Sequence, residues 1–281
     1  MPDIQKIGLD LSPSEQPLSY PGKLVTANCL LFGSWLYVLH SIPGIPPADW
    51  SVQHDGGPLS LTNADHLGAA LSAARAAPMA SRSPVVAVGS NAAPGQLSYK
   101  YRGHSHHNII PITHVVTSKL TVAHSAHISK AGYIPFIPVL AEGTRRTRLS
   151  VLWLDDEQLR RMDDTEPNYT RVTVESPAVS AQLDSGLSSE SFNLYRGRWG
   201  ALCSGPGVSP MMASSQAGVY SFLSTHQWFR LIVPESRDGP QSAAAALARD
   251  EARQRQIRHE LASRDLVATD GLSGIARSAA T

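Results

Sequence analysis

Short runs of apolar residues broken by glycine, proline and small polar residues dominate the first half of the chain, a pattern typical of many short β-strands with a few helices. Bulky apolar residues flank Gly33 and predict a two-stranded hairpin within 29–39. The Ala-rich stretch 62–79 predicts a helix capped at Thr62 or Asn63. Residues 84–97 predict a buried strand, a tight turn at Gly89 and the start of a helix.

The second half of the chain continues this alternation. Residues 148–154 predict a buried strand, and Asp155 followed by Gln158 has the spacing of a capping box for a short helix that ends before Pro167. Further strands are predicted over 109–112, 113–126, 133–140, 169–175 and 192–203, with a turn at 204–207, and helices over 217–232 and 243–266. In the last helix, Glu251 with Arg255 and Glu260 with Arg264 have the i,i+4 spacing of ion pairs.

Charge and composition limit the class of partner. The 281 residues carry 24 Lys and Arg against 23 Asp and Glu, a formal net charge of +1. No global field attracts nucleic acid or an anionic membrane, so the expected partner is a small molecule. Two cysteines, Cys29 and Cys203, are too few for a disulfide framework, and residues 1–20 lack the pattern of a secretory signal. We therefore expect reduced thiols and a cytoplasmic protein.

Two motifs could carry chemistry. The first is the turn sequence Val-Gly-Ser-Asn-Ala, and the second is Met-Asp-Asp-Thr-Glu at the end of the short acidic helix, with a tyrosine three residues later. A turn at a helix start presents backbone N–H groups that can bind an oxyanion. The candidate residues are Val88, Gly89, Ser90, Asn91, Ala92, Glu166 and Tyr169.

The order of these two motifs, with the strand 151–154 between them, resembles the γ-glutamylcyclotransferase superfamily, and the resemblance covers about residues 84–233. It implies an α/β (α+β) fold with a small mixed, barrel-like sheet and flanking helices. It also implies a lyase or acyltransferase that needs no cofactor and no metal. Glu166 is the implied catalytic residue, and Val88–Ala92 with Tyr169 are the implied substrate contacts. Residues 1–83 are expected to pack on the domain 84–235, with 236–281 as a C-terminal helix and tail.

The reaction implied is attack of a γ-glutamyl amide's own amine on its side-chain carbonyl, which releases a lactam such as 5-oxoproline and an amine. Partial burial strengthens a carboxylate as a base. Val88 and Ala92 differ from the aromatic and larger apolar residues usual in this superfamily, which favours a specialised metabolite as substrate. Two alternatives stay open: a non-catalytic small-molecule binding protein on the same fold, and a related amide-forming or amide-hydrolysing enzyme.

Other polar residues have plainer interpretations. Asp163 and Asp164 are expected to be solvated. The alternative to a catalytic role for Glu166 is a solvated position at the same helix end. Tyr169 could instead be a core or rim residue. The histidines between 104 and 127 are expected on a surface loop, with a metal site or a pocket histidine at position 124 or 127 as alternatives. They are His104, His106, His107, His114, His124 and His127.

Overall fold

The structure, a computed structural model, describes residues 3–53, 56–57, 64–102, 108–141, 143, 146–176 and 178–279. The strands are β1 (Cys29–Phe32), β2 (Trp35–His40), β3 (Ser51–Val52), β4 (Ser83–Ala87), β5 (Ile109–Ser118), β6 (Leu120–His124), β7 (Phe136–Leu140), β8 (Arg146–Leu154), β9 (Tyr169–Glu175), β10 (Ala181–Leu183), β11 (Ser188–Ser189), β12 (Ser191–Gly197), β13 (Ala201–Leu202), β14 (Val267–Ala268) and β15 (Ala276–Ser278). The predicted hairpin about Gly33 is confirmed as β1 and β2.

One large mixed sheet organises these strands. Its main path runs β15-β9-β12-β4-β8-β5-β1-β2-β3, and β10 and β11 join it beside β5. The pair β4–β12 is parallel, whereas β4 is antiparallel to β8. The predicted α+β class with a mixed sheet is confirmed. Over the described residues the sheet has eleven strands and stays open, so the small barrel-like form is corrected: β1 pairs with β5 and extends the edge.

Seven helices are present in the described part of the chain. They are α1 (Leu67–Ala73), α2 (Pro94–Lys100), α3 (Asp156–Asp164), α4 (Gln216–Thr225), α5 (Gln227–Ile232), α6 (Pro240–Leu247) and α7 (Glu251–Ser263). The capping box of α3 is confirmed, since the Asp155 side chain accepts from the backbone of Gln158 and the Gln158 side chain accepts from that of Asp155. Both predicted ion pairs on α7 form, at 3.9 Å for Glu251–Arg255 and 2.8 Å for Glu260–Arg264.

Several predicted boundaries are wrong. The helix placed at 62–79 is only α1, and it is capped by His66, whose Nδ1 accepts from the amide of Ala69; Thr62 and Asn63 lie outside the described residues. Each helix predicted at 217–232 and 243–266 is two helices, because His226 and Ala248 are extended. The strand predicted at 192–203 stops at the end of β12, and β13 pairs instead with β14.

In the N-terminal segment 3–22, residues 9–12 pack closely on α2. A side chain at Gly95 would meet the backbone of Leu9 and Leu11 at 2.6 and 2.7 Å, so α2 needs a glycine where this segment crosses it. Ser12 also donates a hydrogen bond to Gln96 Oε1 at 2.5 Å. This segment therefore contributes to the wall of any site next to α2. The boundaries proposed at residues 83 and 235 stay predictions.

The two cysteines are free and buried. Burial raises the pKa of the Cys29 thiol to about 12, which keeps it protonated. Among the described residues, no helix combines the length and the apolar character needed to cross a membrane.

Candidate active site

The predicted turn after β4 is present and is closely surrounded. Ser90–Ala92 form a single helical turn between β4 and α2. The amides of Ala92 and Ala93 donate to the carbonyl oxygens of Gly89 and Ser90, so the amides earlier in the turn are the candidate oxyanion donors. A Cβ at Gly89 would collide with the hydroxyl of Tyr20, so any larger residue there would have to displace that tyrosine.

Glu166 lies directly across from this turn. After α3 the chain turns twice, because the amide of Glu166 donates to Asp163 O at 3.1 Å and the amide of Tyr169 donates to Glu166 O at 3.0 Å. The Glu166 side chain is 15% exposed, and its Oε1 accepts a hydrogen bond from Asn91 Nδ2 at 2.9 Å. The two sequence motifs, 75 residues apart along the chain, therefore meet through their side chains.

Lys100, which sequence reasoning missed, completes this contact. It is the last residue of α2, it is 7% exposed, and its Nζ donates to the same Oε1 of Glu166. Nζ also lies 3.2 Å from Met162 Sδ. The local signal in the sequence was the apolar Leu97, three residues before Lys100 and therefore on the same face of α2. In the structure that face is buried.

Aromatic residues form the wall beside Glu166. Tyr20 from the first segment stacks on Tyr133 with ring centroids 4.4 Å apart, and its hydroxyl accepts from the amide of Phe136 at 2.8 Å. The hydroxyl of Tyr169 donates to the carbonyl of Phe136 at 3.1 Å. Burial, together with the charge of Glu166, raises the pKa of Tyr133 to about 12, so its hydroxyl stays neutral.

These groups line a cavity of about 550 Å³. Six of the seven candidate residues line it: Val88, Gly89, Ser90, Asn91, Glu166 and Tyr169. Ala92 packs in the apolar core beneath the turn, 2% exposed. Three further basic residues also line the cavity: Arg161, whose Nε donates to Lys100 O, and the pair Lys130 and Arg249, joined by a hydrogen bond from the amide of Arg249 to Lys130 O.

Another part of the cavity wall contains His127. This side chain is 3% exposed, and its Nδ1 lies 2.7 Å from Ser125 Oγ. Burial lowers the pKa of His127 to about 3, and the charge of Arg258 acts in the same direction, so the ring is neutral near pH 7. Its Nε2 is buried and has no hydrogen-bond partner among the described residues.

The histidines of this region were expected on a surface loop, and this is wrong for the two others that the structure describes, His114 and His124. His114 is buried with its Nε2 3.1 Å from Val25 O, and His124 is buried with its Nε2 2.9 Å from Ser214 Oγ. The alternative of a pocket histidine therefore fits His127. His104, His106 and His107 lie outside the described residues.

The two acidic neighbours of Glu166 differ from each other. Asp164 is exposed, as expected. Asp163 is not merely solvated, because it accepts from Arg171 Nε at 3.1 Å and from the hydroxyl of Tyr195 at 2.7 Å. Asp163 thus ties α3 to β9 and β12 and stabilises the end of α3 from which the chain turns toward Glu166.

Comparisons with known proteins add little to this geometry. No protein-family model matches the chain, and no curated protein matches it. Among solved structures, the chain is similar to the crystal structure of an AIG2-like protein (GGACT) from Mus musculus, with 17% sequence identity over 42% of this chain and 78% of that chain and a TM-score of 0.26. A similarity of this size carries no argument, so the interpretation depends on the site.

Proposed function

We propose that this protein catalyses a cofactor-free intramolecular acyl transfer on a γ-glutamyl or related amino-acyl amide. The products are a cyclic lactam such as 5-oxoproline and a free amine. One observation carries the proposal: the carboxylate of Glu166 lies in a large cavity, joined to Asn91 of the turn and to Lys100. A base and a set of oxyanion donors at one place are the parts that this reaction needs.

In the proposed reaction Glu166 moves protons between two nitrogen atoms. It accepts a proton from the substrate's α-ammonium, and the amine formed attacks the γ-carbonyl carbon. A carbon–nitrogen bond forms, the carbonyl oxygen becomes an oxyanion next to the turn amides, and the bond to the leaving nitrogen then breaks. In all, the attacking nitrogen loses two protons and the leaving nitrogen gains two. Glu166 ends as it began, and no water is consumed.

The size and charge of the cavity support a substrate larger than the glutamyl group alone. A volume of about 550 Å³ lies in the range of ordinary small-molecule sites. Lys130 and Arg249 give the wall a positive side that suits the α-carboxylate of the substrate or an acidic group on its leaving amine. We propose further that the substrate is a specialised metabolite and that the protein acts in the cytoplasm.

The test is a panel of γ-glutamyl amides incubated with the purified protein and analysed by mass spectrometry. The panel contains amino-acid, peptide, alkylamine and aromatic amine leaving groups. We expect 5-oxoproline and the amine in equal amounts from at least one member, and lactam formation reduced at least about 100-fold with Glu166→Gln. If every member stays intact with the wild-type protein, or if free glutamate forms instead of the lactam, the proposed reaction is wrong.

The contact between Lys100 and Glu166 favours one other candidate, a small-molecule binding protein. The Lys100 ammonium occupies one oxygen of the Glu166 carboxylate, and a binding protein tolerates this without loss of function because it needs no base. A binding protein would show a rise in melting temperature with a γ-glutamyl amide and no turnover of it. Measuring the melting temperature with the same panel distinguishes the two candidates.

A further inference from the structure

Both hydrogen bonds that Glu166 accepts through its side chain fall on the same oxygen. Asn91 Nδ2 reaches Oε1 at 2.9 Å, and Lys100 Nζ donates to Oε1 as well. No described residue donates a hydrogen bond to Oε2. The carboxylate is therefore held through one oxygen, and its other oxygen is available to a ligand.

Asn91 has an unused atom at the same place. Its amide nitrogen must face the carboxylate, because a carboxylate oxygen can only accept, and this fixes the orientation of the side-chain amide. The remaining atom, Oδ1, is buried and has no hydrogen-bond partner among the described residues. A buried acceptor without a donor destabilises the folded state. A ligand that brings N–H groups would supply the missing donor.

Lys100 is held firmly enough to act as a fixed charge. Its side chain is 6% exposed, and Nζ contacts both Glu166 and Met162 Sδ. Five tyrosine hydroxyls also feel the Glu166 charge, and burial together with that charge raises their pKa values and keeps them neutral: Tyr20, Tyr101, Tyr133, Tyr169 and Tyr195. Lys100 is thus the cation that the described residues place in contact with this carboxylate.

We propose that Lys100 is a positioning residue that fixes Oε1 of Glu166 and places its positive charge against the carboxylate, so that Oε2 of Glu166 and Oδ1 of Asn91 together receive two N–H groups of the substrate's α-ammonium. This inference rests on the proposed function and names the amine-binding part of its site. The charge of Lys100 has a second effect. A cation close to the bound ammonium favours release of its proton, and that release creates the nucleophile.

The experiment compares Lys100→Met, which keeps the length of the side chain and removes its charge, with Lys100→Arg, which keeps the charge. Lys6→Met is the matched control, because Lys6 is exposed. Turnover and KM are measured from pH 5 to pH 9 with the substrate found in the panel. We expect Lys100→Met to lower turnover about 10- to 100-fold, the size typical of a misplaced catalytic group. We also expect the acidic limb of its pH profile to move upward, because the carboxylate loses the cation beside it.

The charge-retaining variant distinguishes positioning from packing. Lys100→Arg is expected to keep the acidic limb near its wild-type pH even if its rate is lower, whereas a purely structural lysine would change the rate and melting temperature of both variants without moving the limb of either. If Lys100→Met folds and keeps the wild-type rate and pH profile, the proposal is overturned. If Lys100→Met does not fold, Lys100→Gln takes its place as the uncharged variant.

A second readout keeps this inference separate from the proposed function. The Glu166 carboxyl carbon is followed by ¹³C NMR during a pH titration, with its signal assigned by its loss in Glu166→Gln. If the wild-type protein forms no lactam but its Glu166 signal titrates at lower pH than in Lys100→Met, the proposed reaction fails and the role of Lys100 stands. If the two proteins titrate at the same pH, the role of Lys100 fails whatever the activity.

Discussion

Two acidic side chains with basic partners lie in different parts of this molecule, and they use their oxygens differently. Asp270 is 4% exposed, and its Oδ1 accepts from Arg196 Nη2 at 3.0 Å and from the amide of Leu272 at 2.9 Å, while Oδ2 faces Arg196 Nε. Glu166 accepts two donors on one oxygen, beside an acceptor of Asn91 that has no described partner. Both carboxylate oxygens of Asp270 accept hydrogen bonds from described residues, whereas only one oxygen of Glu166 does.

This difference separates a carboxylate that serves the fold from one suited to chemistry. A buried charge is tolerated when hydrogen bonds use its oxygens, as at Asp270, where Arg196 ties β12 to the segment before β15. An unused oxygen next to an unused acceptor in a cavity is a cost to the folded state that a ligand can relieve. The comparison therefore predicts that substitution of Glu166 affects turnover, and that substitution of Asp270 affects stability.

The largest expected effect is on turnover in Glu166→Gln. Glutamine keeps the size of the side chain and an Oε1 that can still accept from Asn91 and Lys100, but it removes the charge. Lactam formation should therefore fall about 10²- to 10⁴-fold, while the melting temperature falls less than in Asp270→Asn, which loses one of its two accepting oxygens. Initial rates and thermal melts measure the two quantities. Asp164→Asn is the matched control, because Asp164 is exposed at the end of α3, and its turnover should not change. A Glu166→Gln protein with the wild-type rate would show that another group is the base.

Asp270→Asn is expected to lower stability and leave turnover unchanged. Removal of one charge leaves Arg196 without its partner, and the free energy of unfolding should fall by about 2–4 kcal/mol in urea titrations. Glu175→Gln is the control, because Glu175 pairs with Arg277 at 3.4 Å in an exposed ion pair, with side chains 53% and 78% exposed respectively. This substitution should lower the free energy of unfolding by less than about 1 kcal/mol. The folded Asp270→Asn protein should keep the wild-type turnover. Equal losses of stability in the two variants would contradict the distinction drawn above.

Short-range signals account for the parts of the site that could be predicted. The turn at Gly89 follows from a glycine after an apolar strand, and α3 follows from the spacing of Asp155 and Gln158. The turn and the start of α3 each depend on a few consecutive residues, so both can be predicted without knowledge of the tertiary fold. Glu166 lies next to the second of these signals along the chain.

The parts that were missed depend on long-range packing or on unusual backbone. Tyr20 meets Phe136 from 116 residues away, and no local pattern indicates that contact. Lys119 and Arg249 break β5 from β6 and α6 from α7 with φ values of 60° and 64°, a conformation in which glycine or asparagine is usual. Neither residue type signals a break, so the strand and helix around them were predicted to continue.

A smaller effect is expected from the wall around Glu166. Gly89→Ala places a methyl group against the Tyr20 hydroxyl, so we expect a loss of about 1–3 kcal/mol in stability and a reduced rate as the tyrosine moves. Gly274→Ala is the control, because open space surrounds Gly274. The double variant Gly89→Ala with Tyr20→Phe removes the colliding oxygen. Its stability should exceed the additive expectation in urea titrations, and additive losses would show that the two residues do not interact.

The smallest expected effect concerns His127, whose Nε2, like Oδ1 of Asn91, is buried in the cavity wall without a described partner. Its pKa is lowered to about 3 in the folded protein, whereas an unfolded chain gives histidine its ordinary value near 6.5. Between these values the unfolded state binds the extra proton, so stability falls as the pH falls. The expected contribution reaches about 2 kcal/mol between pH 6.5 and pH 5.

Urea titrations at several pH values measure this contribution. His127→Gln should be less stable at pH 7 but should lose less stability than the wild type on acidification, because glutamine takes up no proton. His259→Gln is the control, because His259 is exposed on α7, and its dependence on pH should match that of the wild type. His124 has its pKa lowered to about 4 by burial and contributes in the same direction, so part of the acid sensitivity should remain in His127→Gln. If His127→Gln loses as much stability on acidification as the wild type does, His127 takes up its proton in the folded protein, and the cavity wall is open to water at that point.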